Sequence, residues 1–147
     1  MACNQIESLK GLEHFKLLKY LDIHGNKVRK IEKIKGLIAL KILKITDNEL
    51  DKLEGFSKQT ALNELDISFN RIGTLENLEQ FTALKKLDIS CNQISVLENM
   101  EALSALEEFD IVCNKIGKLK NLQKLTSLQK LNISSNGIEK IEGLGKL

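Results

Sequence analysis

The sequence predicts an α/β solenoid: short stacked units whose strands form a parallel sheet along one wall, with turns or 3₁₀ segments forming the other. Three observations lead there. An asparagine stands at Asn4, Asn26, Asn48, Asn70, Asn92, Asn114 and Asn136, one every 22 residues, and a fixed period of about 20 to 50 residues marks a stacked repeat. Ahead of six of these asparagines the chain reads LxxLxIxxN with small variations, from "LKYLDIHGN" through "LNELDISFN" and "LKKLDISCN" to "LQKLNISSN". Behind each asparagine, apolar residues come at every third position, as in Ile94, Leu97, Met100, Leu103 and Leu106. The tetrapeptide "CNQI", which begins at Cys3 and again at Cys91, recurs because its copies lie four periods apart.

The LxxLxIxxN stretch comes first in each unit. Its apolar residues alternate with polar ones over the last half, which is the pattern of a strand with one buried face. The segment after the asparagine is not an α-helix. At about 100° per residue, a three-residue spacing drifts by roughly 60° per step, so the apolar side chains would wander around the cylinder. Tight turns and 3₁₀-like segments bring every third residue to the same side. A unit of strand, turn and return segment cannot close a core alone, but stacked neighbours can, with strands about 4.8 Å apart.

The asparagine column has a structural task. A strand that turns sharply out of its sheet leaves backbone groups facing inward, and each one left unpaired costs about 1 to 3 kcal/mol. A primary amide carries both donors and an acceptor, so it satisfies them from rung to rung. A second column, seven residues further on, holds Gly11, Gly55, Asn77, Asn99, Asn121 and Gly143, with Lys33 departing. Gly and Asn best tolerate positive φ, so a left-handed corner is expected there. Small residues ahead of the strands, "TA" at 60 and 82, "SA" at 104 and "TS" at 126, suit the turn into the next rung.

Composition narrows the function classes. With 22 basic and 20 acidic residues among 147, the total charge advertises neither nucleic acid nor membrane binding. No apolar run is long enough to span a bilayer, and the start "MACNQIESLK" lacks the layout of a secretory signal, so a cytoplasmic chain is expected. Three cysteines without CxxC spacing argue against a disulfide framework and against zinc. No metal or other cofactor is expected.

These residues resemble the leucine-rich repeat family in its 22-residue subclass, typified by the leucine-rich repeat regulatory subunit of type 1 protein phosphatase. The likeness covers essentially the whole chain and is closest in "NKIGKLKNLQKLTSLQKLNISSNGIEKIEGL" at 114–144 and in the "LEN" steps at 75 and 97. It implies a curved array with the parallel sheet on the concave face and the return segments on the convex face. The subclass also resembles axonemal dynein light chains, a spliceosomal repeat protein and internalins, so the repeat speaks for fold more than for partner. Internalin repeats carry proline in the return segment, whereas this chain has none. One domain is expected over residues 1–147, with about seven units, the terminal ones incomplete and without recognisable caps; end-to-end self-association through them is a corresponding expectation.

Strand residues between the inward Leu and Ile form exposed columns. One reads Asp22, Lys44, Asp66, Asp88, Asp110 and Asn132; beside it run Tyr20, Ile42, Glu64, Lys86, Glu108 and Lys130, and His24, Thr46, Ser68, Ser90, Val112 and Ser134. Tyr20, Asp22, His24, Glu64, Asp66, Phe69, Lys86, Asp88, Glu108 and Asp110 are the candidate partner-binding set. Three aspartates on adjacent rungs repel, and either a partner's cations or plain repeat consensus accounts for them. Phe69, Cys91 and Cys113 share the place before the asparagine, as an apolar ledge for a partner or as turn lining. The basic stretch "NKVRKIEKIKGLIALKILK" at 26–44 reads as a solvated face or an acidic-partner patch. "NIS" at Asn132 is a fortuitous sequon, since it sits on a strand.

No enzyme constellation is expected. His14 and His24 fall in different walls, and neither has a nucleophile or a paired carboxylate at a diagnostic spacing. The chain reads as a protein-binding scaffold or regulatory adaptor working through its concave face, conceivably phosphatase-regulatory. The alternative is a structural component of a cytoskeletal or axonemal assembly.

Overall fold

Each LxxLxIxxN stretch supplies one short strand. A computed structural model describes residues 1–56 and 59–141. In it the strands β1 (Tyr20–Asp22), β2 (Ile42–Lys44), β3 (Glu64–Asp66), β4 (Lys86–Asp88), β5 (Glu108–Asp110) and β7 (Lys130–Asn132) form one parallel sheet in the order β1-β2-β3-β4-β5-β7. Every junction has the same register, one residue facing the residue 22 further on, as in Leu65↔Leu87 and Leu87↔Phe109. The periodicity of the sequence is therefore the register of the sheet.

The return segments are tandem turns. Leu12 N–H bonds Leu9 C=O, Phe15 bonds Leu12 and Leu18 bonds Phe15, at 3.0–3.2 Å. The same three-residue steps link Leu78, Phe81 and Leu84, and again Met100, Leu103 and Leu106. This is the hydrogen-bond pattern of 3₁₀ structure, and it is why an apolar residue is needed at every third place. Among the described residues no α-helix forms, so turns make most of the second wall of the expected α/β class.

Both walls point their apolar residues into one core. Leu43 and Leu65 from the strands, Ile45, Ile67 and Ile89 just after them, and Leu53, Leu75, Leu97 and Leu103 from the returns are fully buried. Each such side chain contributes about 1.5 to 3 kcal/mol of transfer free energy. Phe56 and Phe81 meet edge to face with centroids 5.0 Å apart, locking two neighbouring returns. The core column of Phe81 and Leu103 also holds Gln59, fully buried, whose amide donates to Ile34 C=O at 2.8 Å. A feature absent from the sequence reading is a second, two-stranded parallel sheet of β6 (Lys118–Leu119) and β8 (Lys140–Ile141). Strands of two residues leave no periodic signal.

The asparagines carry the ladder that their chemistry suggests. From Asn26 to Asn136, each Oδ1 accepts the backbone N–H of a residue 20 places earlier on the neighbouring rung, at 2.9–3.1 Å. Each Nδ2 from Asn26 onward also donates to the backbone carbonyl 25 places earlier, at 2.8–3.1 Å; from Asn48 onward this is the isoleucine that follows a strand. Among the described residues, the Asn4 side chain bonds only the local carbonyls of Met1 and Ala2.

The expected left-handed corner exists at Gly11, Lys33, Gly55, Asn77, Asn99 and Asn121, with φ between 58° and 100°; Gly143 lies outside the described residues. Lys33 thus keeps the corner that its residue type disfavours. The asparagines there do more than tolerate the angle, since Asn77 Nδ2 donates to Leu53 C=O at 2.8 Å and Asn99 and Asn121 make the equivalent bonds. A second left-handed column, unforeseen, is the residue before each ladder asparagine: Cys3, Gly25, Asp47, Phe69, Cys91, Cys113 and Ser135. Its varied side chains hid a backbone requirement.

Candidate functional site

The outer face of the six-stranded sheet brings the predicted columns together. Asp22, Lys44, Asp66, Asp88, Asp110 and Asn132 stand side by side on consecutive strands. Each acid has a local duty. Asp66 Oδ1 accepts the Ser68 N–H and hydroxyl at 3.1 and 2.7 Å, Asp88 does the same for Ser90 at 2.9 and 2.6 Å, and Asp110 accepts the Val112 N–H at 3.0 Å. The aspartate therefore caps the backbone as the strand turns out of the sheet, which explains its repetition without a ligand. Asn132 caps Ser134 with its amide oxygen instead and donates its Nδ2 to Asp110 Oδ2 at 3.1 Å.

Only the second oxygens remain for a partner. Among the described residues, Oδ2 of Asp66 and of Asp88 accept no hydrogen bond. Burial pushes the Asp88 carboxyl above its ordinary value; its Ser90 hydrogen bonds pull the other way, and the flanking Asp66 and Asp110 add to the rise. The glutamates of the neighbouring column are neutralised by lysines, some within that column and one from the aspartate column, and a further pair lies beside it. Lys44 pairs with Glu64 at 3.2 Å, Lys86 with Glu108 at 2.8 Å, Lys130 with Glu108 at 3.8 Å, and Lys85 with Glu107 at 2.7 Å. Lys86, and secondarily Lys130, hold the Glu108 carboxyl below its usual range. Glu64 and Glu108 are thus partners of lysines of this chain, and both join Asp66, Asp88, Asp110, Lys86, Lys130 and Asn132 in lining a groove of about 260 Å³.

At the rim, Phe69 is 56% exposed, so it forms a ledge and not a buried lining. Cys91 is half-buried and Cys113 exposed, both as free thiols. In the basic stretch, Arg29 pairs with Glu49 at 3.0 Å and Lys44 with Glu64, while Lys27, Lys30, Lys35 and Lys41 form no ion pair among the described residues.

The reading of His24 needs correction. Its Nδ1 lies 2.9 Å from Asp22 Oδ1 and its Nε2 lies 3.7 Å from Cys3 Sγ, so it has both a carboxylate and a thiol beside it. The carboxylate is two residues away in sequence, but the thiol is on the preceding rung, 21 residues earlier. Spacing rules drawn from single motifs miss such a pair; the 22-residue register, applied to Cys3 and Gly25, places Cys3 beside the strand end that carries His24. Tyr20 completes this end by donating its hydroxyl to Asp22 Oδ2 at 3.2 Å. Burial pushes the Asp22 carboxyl up, but hydrogen bonds from the His24 backbone and ring and from Tyr20 outweigh it and hold it below its ordinary value.

A parallel sheet with a 22-residue register, an internal asparagine ladder and a free, polar strand face define a repeat solenoid. The chain belongs to the leucine-rich repeat family: residues 1–92 match the family described as the endo-beta-N-acetylglucosaminidase EndoS LRR domain, and residues 104–146 match that of paired leucine-rich repeats. Among solved structures it is similar to internalin C2 from Listeria monocytogenes, with 26% identity and a TM-score of 0.93 over 100% of this chain and 65% of that one. It is similar to an internalin (inlF) of the same organism, with 27% identity and a TM-score of 0.87 over 99% of this chain and 44% of that one. A leucine-rich repeat protein of Leptospira interrogans shows 27% identity and a TM-score of 0.86 over 95% and 37%. The chain spans less than two thirds of each of these proteins. No curated protein matches it significantly.

Proposed function

We propose that the protein is a binding scaffold that receives a Lys- or Arg-bearing segment of a protein partner across the outer, concave face of its sheet. The observation that carries this is the groove over β3, β4 and β5, where Asp66 and Asp88 keep one uncommitted carboxylate oxygen each. A guanidinium or ammonium entering there meets charge-assisted acceptors and relieves the repulsion among three stacked acids. Phe69, exposed at the rim, supplies an apolar contact beside the charged one. The role of regulatory adaptor, and the phosphatase-regulatory form of it, draw support from the sequence resemblance alone, which is closest at 114–144 and in the "LEN" steps at 75 and 97.

Selection of binders from a random peptide library tests the proposal. Peptides retained by the wild-type chain should be enriched in Lys and Arg and should weaken as salt rises. Replacing Asp66, Asp88 and Asp110 together by Asn keeps the backbone caps, as Asn132 shows, and should weaken those peptides at least about tenfold. Binders that lack basic residues, or that hold equally well to the triple variant, would overturn it.

A further inference from the structure

The groove is not the only chemistry on this molecule. At the first strand, thiol, imidazole and carboxylate stand in series: Cys3 Sγ is 3.7 Å from His24 Nε2, and His24 Nδ1 is 2.9 Å from Asp22 Oδ1. The Asp22 carboxylate accepts the Nδ1 proton and so fixes the tautomer that leaves Nε2 as an acceptor facing the thiol. Two further features hold the arrangement. Cys3 N–H donates to His24 C=O at 2.8 Å. Gly25, after His24, has no side chain, and a Cβ built there would lie 3.1 Å from Cys3 Sγ. Glycine at this one rung leaves the thiol its place.

We propose that Cys3 is a nucleophilic modification site that takes small disulfides by thiol–disulfide exchange. Cys3 gives its proton to His24 Nε2, and the thiolate attacks one sulfur of the disulfide RSSR. The S–S bond breaks, a Cys3–S–S–R bond forms, and the departing RS⁻ takes the proton back from His24 to leave as RSH.

The surroundings select this chemistry over acyl transfer. An acyl intermediate needs N–H donors aimed at its oxyanion. Here those nearest the thiol are spent, Cys3 N–H on His24 C=O, Asn4 N–H on Gly25 C=O, Gly25 N–H on Thr46 C=O and His24 N–H on Asp22 Oδ1. Exchange at sulfur develops no oxyanion. The other cysteines, Cys91 and Cys113, stand four and five repeats away, so nothing at hand resolves the mixed disulfide and it persists as a mark on the first rung. An apolar cavity of about 250 Å³, lined by Leu12, Phe15, Leu18, Tyr20 and Asp22 among others, shares Asp22 with the relay. The ionisable groups around the relay are Tyr20 and Asp22 on β1, the Met1 ammonium bonded to Asp22 C=O at 3.0 Å, and the Lys44–Glu64 pair on β2 and β3.

The test follows 2-thiopyridone release from 2,2′-dithiodipyridine in a chain with Cys91→Ser and Cys113→Ser, so that Cys3 alone reacts. At pH 6 the added substitution His24→Gln should slow the reaction at least about tenfold, and the difference should vanish near pH 10, where any thiol ionises unaided. Asp22→Asn, which keeps an oxygen for the backbone cap, should slow it several-fold at pH 6 and not at pH 10; this variant decides the matter where circular dichroism shows that His24→Gln has unfolded. Equal rates at pH 6 with and without the His24 or Asp22 substitution, or a loss of equal size at both pH values, would overturn the proposal.

Discussion

Asn92 Oδ1 accepts the Ile72 N–H at 3.0 Å while its Nδ2 donates to Ile67 C=O at 3.0 Å, so one side chain ties the third unit to the fourth through both of its polar atoms. Neither backbone group has water to turn to, since Ile67 and Ile72 are fully buried. Asn92→Ala should therefore cost about 1 to 3 kcal/mol. Asn4→Ala, which removes only local bonds at an exposed position, should stay within about 0.5 kcal/mol. Urea melts of the two variants measure this, and equal losses would show that the column is not an internal network.

Lys33 occupies a left-handed corner at φ 63° where three other rungs place asparagine. Lys33→Asn should stabilise the protein by about 1 kcal/mol, because asparagine tolerates that backbone better and can donate to Leu9 C=O as Asn77 does to Leu53 C=O. A denaturation midpoint that does not rise would mean that the first return is too loosely held for the bond to form.

Asp88 sits between two like charges, half-buried, with its carboxyl pushed above the ordinary value by burial and then by Asp66 and Asp110. A carboxyl raised on folding binds more protons in the folded state, so its contribution to stability is fully present below the unfolded value and is lost as pH rises through the folded one. Asp88→Asn should remove that loss while keeping the Ser90 cap. The expected gain is about 0.5 to 1 kcal/mol at pH 7, vanishing below about pH 3. Thermal melts at the two pH values check it.

Asp88→Ala separates the two duties of the same residue. It relieves the repulsion but orphans the Ser90 N–H and hydroxyl, which Asp88 holds at 2.9 and 2.6 Å. The lost cap should outweigh the relief, leaving the alanine variant about 1 kcal/mol below the asparagine variant at pH 7. Identical melting of the two would show that the cap contributes nothing.

The sheet, its register and the asparagine ladder were legible because each repeats at one interval, so every unit testifies for the others. The columns facing solvent were legible for the same reason. What escaped was whatever a single rung does alone. The duty of Asp66 and Asp88 toward Ser68 and Ser90 is a short-range bond hidden inside a pattern that also looks like a charged patch. The pairing of Glu64 with Lys44 and of Glu108 with Lys86 depends on which rotamers long side chains choose, and a column of letters does not show that. The relay at Cys3 and His24 joins two units and involves a glycine that is ordinary in its column only by conformation. The left-handed place that it shares with Phe69, Cys91 and Ser135 could not be read from residue type, because the bonds around it, and not the side chains, enforce the angle.

The constant 22-residue register has a consequence for how such a molecule changes over generations. An unequal crossover that duplicates or deletes one whole unit leaves every junction with the same register, with the same asparagine receiving the same kind of N–H from the rung before it. Length can therefore vary without changing the backbone register, at about 4.8 Å of sheet per unit gained or lost. The solvent-facing residues of each strand and of the turn after it are inherited as a block with their rung, so recognition can be rewritten by shuffling rungs, and selection on binding acts on a unit of inheritance larger than a residue and smaller than a domain.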